Sequence, residues 1–342
     1  MLRASEAGGK VRISRCLKLL RCPRCGSELT RDDRLLRCTN CSSEYPAAEG
    51  IPRLFVPSDS SGRAVESEVQ AFYEAHPFPD YEGFEDLASL IEKAREGVFA
   101  RRLDEAIPFG TRVLDCGCGT GQLANFLGVA HRTVFGTDGS TASLRLAEEF
   151  RSRHGLDNVF FLQMNLFRPV FPPATFDVVI CNGVLHHTPD PRAGFRILSR
   201  LVRPGGYLVV GLYHRWARLG TDLRRVLFRM TGDRLVFLDP RVRREHLGER
   251  RRQAWFADQY RNPHESKHTI QETCTWIAEE GLELARTLPS RAFFRTLDEG
   301  EDLFAPEPEV GPLETKVREL ALALRGDGEG GFFTVIARRP PC

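Results

Sequence analysis

No run of about 18 apolar residues occurs in this 342-residue chain, so no segment reads as a membrane-spanning helix. The stretch Met1 to Ser14 also lacks the apolar core of a signal peptide. Neither sign of charge dominates: 48 basic residues face 46 acidic ones, so no global field argues for nucleic acid. Arginine far outnumbers lysine, a bias we read as genome composition. There is no internal repeat and no even spread of cysteines that would suggest a disulfide framework. Four of the ten cysteines fall between Cys22 and Cys41, while Cys116, Cys118 and Cys181 sit in apolar, strand-like contexts. That distribution suits metal binding and reduced thiols, and a cytoplasmic location is expected from it. At 42% hydrophobic residues the chain can bury a core, as one large domain or two unequal ones.

What is present begins with two C-x-x-C knuckles, Cys22-Pro23-Arg24-Cys25 and Cys38-Thr39-Asn40-Cys41, separated by a hairpin-like stretch. Two knuckles can set four thiolates around one ion, the closed arrangement of structural Zn2+, with no open position for catalysis. Redox use of one C-x-x-C is the alternative, and it lacks a thioredoxin-like context. So small a unit has little core, and metal binding would supply much of its folding energy. Residues 18–57 are read as this zinc-ribbon domain. Residues 58–108 follow as a linker, starting at Ser58 to Gly62, and N-terminal helices. The aromatic and proline segment Phe72 to Tyr81 within them reads either as a lid over a site or as packing between ribbon and core.

From residue 109 to 342 the pattern is that of a larger domain. Strand-like pieces at 111–116, 133–137, 158–164, 176–181 and 206–213 alternate with helical patterns at 121–129, 140–153 and 191–202. This is the signature of crossover units on a parallel sheet covered on both faces. The last helix shows apolar spacing at Phe195, Leu198, Leu201 and Val202, then stops at Pro204-Gly205-Gly206. An arginine-rich helical insertion at about 215–280 breaks the alternation. Two further strands are expected at 282–288 and 332–338. The acidic, proline-bearing stretch Asp298 to Pro312 between them reads as a mobile loop.

The chemistry centres on Val113-Leu114-Asp115-Cys116-Gly117-Cys118-Gly119-Thr120-Gly121. A strand turning at once into a helix needs residues without a Cβ, and the N–H groups at the helix start can then face an anionic group. The spacing of Gly117, Gly119 and Gly121 is one residue tighter than the dinucleotide fingerprint G-x-G-x-x-G, which disfavours a nicotinamide-dependent oxidoreductase. A second acid, Asp138, followed by Gly139, ends the next strand. Asn165 and Leu166 close the third, Asn182 the fourth and Tyr213 the fifth. Ligands of open α/β sheets sit outside the carboxyl ends of the strands, and these residues share that edge.

Residues 110–213 resemble the class I S-adenosylmethionine-dependent methyltransferases. The phrase Val184-Leu185-His186-His187-Thr188-Pro189-Asp190-Pro191 looks most like the branch with the ubiquinone and menaquinone C-methyltransferases. The resemblance implies a Rossmann-like α/β fold: a seven-stranded, mostly parallel sheet with its last strand antiparallel. It also implies cofactor binding by Asp115, Gly117, Cys118, Gly119, Gly121, Asp138, Gly139, Asn165, Leu166 and Asn182. In this scheme Asp115 would take the amino group and Asp138 the ribose hydroxyls, while Asn165 and Leu166 would border the adenine. The family more often has Asp where this chain has Asn165. The cysteine unit, running through Tyr45-Pro46 to Gly50-Ile51-Pro52-Arg53-Leu54, resembles the small zinc-ribbon activator of tRNA and protein methyltransferases. It is also similar to the ribbon of ribosomal RNA guanine methyltransferases. A protein partner docking through the ribbon follows from the first likeness.

Methyl transfer is an in-line displacement that needs a base only when the nucleophile must lose a proton. His187 is the preferred candidate, with a role in shaping its loop as the alternative; Tyr213 is the second candidate, and His186 reads as structural. His264, Glu265 and His268 read as a polar loop and helix cap rather than a metal site. Three functions compete. The first is methyl transfer to a small-molecule acceptor. The second is RNA methylation with the ribbon and the arginines of 215–252 holding RNA, although no Asn-Pro-Pro-Tyr-type segment follows the fourth strand. The third is a non-catalytic scaffold that keeps the cofactor fold.

Overall fold

The computed structural model describes residues 13–32, 34–59, 62–79, 81–232, 234–239, 248–290, 302–308, 310–311, 313–317, 319 and 331–341, with the backbone alone at Arg251. Arg241, Arg243 and Arg244 of the insertion, and the residues 298–301, 309 and 312 of the acidic stretch, lie outside these.

Four short strands come first: β1 (Leu29–Asp32), β2 (Leu35–Cys38), β3 (Glu44–Ala48) and β4 (Ile51–Leu54). They form an antiparallel meander. The helices α1 (Arg63–Ala75), α2 (Leu87–Glu96) and α3 (Val98–Ala106) follow. Then β5 (Arg112–Cys116), α4 (Gln122–Val129), β6 (Thr133–Asp138), α5 (Thr141–Arg153), β7 (Val159–Met164), β8 (Phe176–Asn182), α6 (Pro191–Leu201) and β9 (Val202–Tyr213) alternate. The expected elements are thus in place, with β9 beginning at Val202 where α6 ends.

The strands form one sheet in the order β1-β2-β3-β4-β7-β6-β5-β8-β9-β11-β10, with β10 at Glu283–Leu288 and β11 at Phe332–Arg338. The seven strands β5 to β11 lie together in it; β5 to β9 are parallel, and β11 runs antiparallel between β9 and β10. The sheet does not end at seven strands. β4 pairs parallel with β7, Arg53 beside Gln163 and Leu54 beside Met164, so the cysteine-bearing meander extends it to eleven.

Every residue of β7 is buried, as a strand covered on both faces requires. Alternate residues feed two cores. Leu114, Phe135 and Phe160 pack on one side, Val113, Val134 and Phe161 on the other. Local chemistry fixes the helix starts. Ser140 caps α5 through the N–H of Ser143 at 3.1 Å, and Asp190 caps α6 ahead of Pro191. Thr269 and Glu272 form a capping box on α9 (Ile270–Glu279).

The insertion consists of α7 (Leu219–Thr231) and α8 (Glu249–Phe256), which continues as a π-helical turn over Ala257–Arg261. The acidic stretch departs from expectation. In its described part Leu303 is buried and Phe304 stacks on Tyr207 at 4.1 Å. The Glu307 N–H donates to the Ala285 carbonyl at 2.7 Å. This part is therefore packed on the sheet rather than mobile, because one apolar pair outweighs the surrounding acids and prolines.

Candidate functional site

Strand order reverses where β5 lies between β6 and β8, which places the crevice at the carboxyl ends of β5 and β8. A cavity of about 1050 Å³ occupies that position. Asp115, Gly117, Cys118, Gly119, Asp138, Gly139, Asn165, Leu166, Asn182, His187 and Tyr213 all line it. Gly121 lies just behind, with φ +74° and its missing Cβ within 2.7 Å of Ala147 and Phe161.

The two acids differ in their surroundings. The Asp138 carboxylate accepts N–H bonds from Gly119 at 2.9 Å and Ser140 at 2.8 Å. Burial raises its pKa, and these donors offset part of the rise. Asp115 is 4% exposed, and no donor among the described residues reaches its carboxyl group. Burial, reinforced by the nearby Asp138 charge, pushes it up to about 7. A buried carboxyl without a donor is a site that gains by receiving a cation. Close by on the cavity wall, the Asn182 Oδ1 is buried without a hydrogen-bond partner.

The glycine loop differs from expectation in one respect. Its N–H groups do not stand free. Gly117 and Cys118 donate to the Thr137 carbonyl, Gly119 to Asp138, Thr120 to the Phe78 carbonyl at 3.2 Å and Gly121 to Cys118. The loop shapes the wall instead of offering donors. The Thr120 hydroxyl donates to the Pro79 carbonyl at 2.7 Å, so Phe78 and Pro79 lie directly on the loop. Glu74 at the end of α1 accepts from Ser140 at 2.9 Å and from the Ala142 N–H at 3.2 Å, anchoring the same cover at the start of α5.

Asn165 is also committed elsewhere. Its amide donates to the Val56 carbonyl at 3.0 Å and to Glu66 at 3.2 Å, and its Oδ1 accepts from the Phe167 N–H at 2.9 Å. It ties the end of β7 to the coil after β4 and to α1.

Across the cavity the insertion builds a polar wall. The His187 Nδ1 lies 2.7 Å from the His264 carbonyl, which can only accept, so Nδ1 carries the proton and Nε2 the lone pair. Burial lowers the His187 pKa against the opposing pull of Asp258, keeping the ring neutral near pH 7. Gln259 Nε2 donates to the Tyr213 oxygen at 2.6 Å. Arg218 donates to Gln259 and, through two nitrogens, to Glu265, while its guanidinium lies 3.5 Å above the Tyr213 ring. Burial, then Asp258, raises the Tyr213 pKa well above its ordinary value, so the hydroxyl stays protonated. Tyr73 of α1 donates to Asp258 at 2.7 Å and accepts from Asn262 at 2.9 Å.

Sequence assigns no individual role to Tyr73, which reads as part of the Phe72–Tyr81 segment, or to Asp258 and Gln259, which read as part of the insertion. The fold brings all three to the cavity. His264, Glu265 and His268 do not form a ligand cluster; among the described residues that chemistry is confined to the four cysteines.

Residues 114–210 match the family described as methyltransferase domain. The fold is that of a class I S-adenosylmethionine-dependent methyltransferase. In this methyltransferase fold the matched segment runs from within β5 to within β9 and contains the cavity-lining tips of β5 to β8, while Tyr213 at the end of β9 lies just beyond it. The chain is similar to an uncharacterized protein of Synechococcus, 29% identical over 247 residues, covering 64% of this chain and 59% of the other. It is also similar to the ubiquinone biosynthesis O-methyltransferase of Paracidovorax citrulli, 36% identical over 110 residues, covering 32% and 46%. The chain therefore spans about half the length of the curated relatives it matches. Among solved structures, the magnesium protoporphyrin IX methyltransferase of Synechocystis matches with a TM-score of 0.47 and 17% identity, over 80% of this chain and 99% of the other.

The cysteine cluster near the N-terminus of this methyltransferase fold could chelate a metal. The sulfurs of Cys22 and Cys41 lie 3.6 Å apart and those of Cys25 and Cys38 3.4 Å, with all four within 4.8 Å of one another. A tetrahedral zinc–thiolate site has sulfur–sulfur edges of about 3.8 Å, given bonds of about 2.3 Å. The N–H groups of Asn40 and Cys41 both point at the Cys38 sulfur at 3.4 Å, which would stabilise a thiolate there.

Proposed function

We propose that this chain transfers a methyl group from S-adenosylmethionine to a small-molecule acceptor held in the cavity between the strand tips and the insertion. The observation that carries the reading is the pairing of two unpartnered groups on one cavity: the Asp115 carboxyl, suited to a cation, and the His187 Nε2 lone pair, suited to a proton. When bound, S-adenosylmethionine supplies an electrophilic methyl carbon on a sulfonium. Asp115 would hold its amino group, Asp138 its ribose hydroxyls, and Leu166, beside Asn165, and Asn182 would border the base. Gly117 to Gly121, with Gly139, let the backbone approach.

The chain's own groups supply the rest. The His187 Nε2 takes the proton of an acceptor hydroxyl or amine, and its Nδ1–H stays on the His264 carbonyl, which fixes the ring orientation. The protonated Tyr213 hydroxyl, already accepting from Gln259, directs its own proton toward the acceptor. The His76–Tyr81 cover excludes water from the loop side. Phe84, Leu90, Phe99 and Phe126 line another part of the cavity, favouring an acceptor with an apolar body. The arginines that would have served an RNA reading are partly withdrawn, since Arg218 and Arg225 bind Glu265 inside the insertion. We assign the four cysteines to one structural Zn2+, in a ribbon unit over 18–57 that is joined to the catalytic sheet.

The test is incubation of the protein with methyl-labelled S-adenosylmethionine and a fractionated cell extract, followed by mass spectrometry. Label should enter a small molecule, and the His187→Gln variant should slow that transfer while still binding the cofactor. Label entering only RNA or protein would reject the small-molecule reading.

A further inference from the structure

The insertion turns two faces in opposite directions. Thr221 and Phe228 of α7 are buried, and the Phe228 ring meets Tyr260 at 4.9 Å and Phe256 at 6.0 Å. Behind those rings, Trp255, Asp258 and Gln259 line the cavity. The opposite face carries Leu219 (55% exposed), Leu223 (72%), Val226 (54%) and Met230 (81%). Their spacing of four, three and four residues places all four on one narrow stripe. Trp216 extends the stripe at one end, and Phe237 and Leu238 are exposed in the turn beyond the other. A soluble surface seldom leaves such a contiguous apolar ridge to water without a use.

The charge around the ridge identifies what it fits. Residues 215–252 hold twelve arginines against five carboxylates, although the whole chain is nearly neutral at +2; Arg215, Arg218, Arg224, Arg225 and Arg252 of these are ion-paired. Arg229, Arg234 and Arg250 are exposed and make no ion pair with a described residue. Leucine, methionine, tryptophan and phenylalanine on one face with arginine at its borders is the composition of a helix lying in the interface of an anionic bilayer. RNA would use the arginines and leave Leu223, Val226 and Met230 without a role.

We propose that the outer face of α7, with Trp216, Phe237 and Leu238, docks on an anionic phospholipid surface. Docking places the membrane on the outer side of the helix pair whose inner side walls the cavity. The proposal is independent of the methyl donor, because it is read by binding alone.

The experiment is flotation of the full chain with vesicles of phosphatidylcholine alone or of equal parts phosphatidylcholine and phosphatidylglycerol. The protein should float with the anionic vesicles, float less as salt rises, and stay unbound with phosphatidylcholine alone. Leu223→Asp with Met230→Asp should weaken partitioning by about tenfold or more, and Arg229→Glu with Arg234→Glu by about as much. All four positions are exposed, so circular dichroism and thermal melting should match the parent. Three results would overturn the proposal: no binding to anionic vesicles, undiminished binding by the Leu223/Met230 variant, or a homodimer in lipid-free solution that this variant dissociates. RNA binding lost in the arginine variant, without vesicle binding, would do the same.

Discussion

Gly119→Ala tests whether the His76–Tyr81 cover lies against the glycine loop. Gly119 has φ +52°, and a Cβ there would stand 2.1 Å from the Phe78 carbonyl oxygen, a backbone atom. Gly110 is the control, since its φ is +75° and nothing lies within 4 Å of its missing Cβ. Both alanines bear the left-handed strain of about 1–2 kcal/mol. Only the alanine at 119 must also push the Phe78 carbonyl back by roughly 1 Å, to a normal contact distance. That movement breaks the Thr120 N–H bond to Phe78 and weakens the Thr120 hydroxyl bond to Pro79. Two such bonds are worth about 1–3 kcal/mol together. Urea unfolding should therefore show Gly119→Ala less stable than Gly110→Ala by about 1–3 kcal/mol, at similar m-values. Hydrogen exchange should rise at the Thr120 N–H, which loses its Phe78 acceptor, in the first variant alone. Equal losses in both variants, with the Thr120 N–H equally protected, would refute the reasoning.

Further outcomes are expected elsewhere. The folded Asp115 carboxyl titrates at about 7, against an ordinary 3.8. The folded chain thus binds more protons than the unfolded one between these values, and stability falls as pH rises through that window, by at most roughly 4 kcal/mol. Asp115→Asn should remove this slope, raise the melting temperature at pH 8 and lose cofactor binding; an unchanged pH profile would count against the burial argument. Metal analysis should find one zinc per chain, lost in Cys22→Ser with Cys25→Ser, whereas an iron chromophore or no metal would overturn the assignment. Arg218→Met leaves the buried Glu265 with Arg225 at 2.7 Å and Lys267 at 3.9 Å. It should cost about 2–4 kcal/mol in urea unfolding; a loss below about 0.5 kcal/mol would show that the ion pair adds little.

The alternation of strands and helices from Arg112 to Tyr213 was legible because each element carries its own apolar period and cap. The strand-tip residues then followed from the topology. What depends on pairing distant in sequence was not legible. Asn165 sits at a strand tip like a ligand contact, yet its amide bonds Val56 and Glu66 because β4 lies beside β7, a pairing no local pattern encodes. The loop's N–H groups looked free for the same reason: the Phe78 carbonyl and the Asp138 carboxylate that accept from two of them arrive from other elements. The Leu303–Phe304 pair was hidden among acids and prolines that read as solvated. In the insertion, arginines and apolar residues alternate too closely for sequence to tell the Phe228 side from the Leu223 side.

The central claim is that the cavity at the strand tips binds S-adenosylmethionine. Isothermal titration of the full chain with S-adenosylhomocysteine, the demethylated product, tests it most directly. Binding with one site per chain is expected, lost in Asp138→Ala with the circular dichroism spectrum unchanged. No heat with S-adenosylhomocysteine alongside tight binding of NADH, or full affinity in Asp138→Ala, would contradict it.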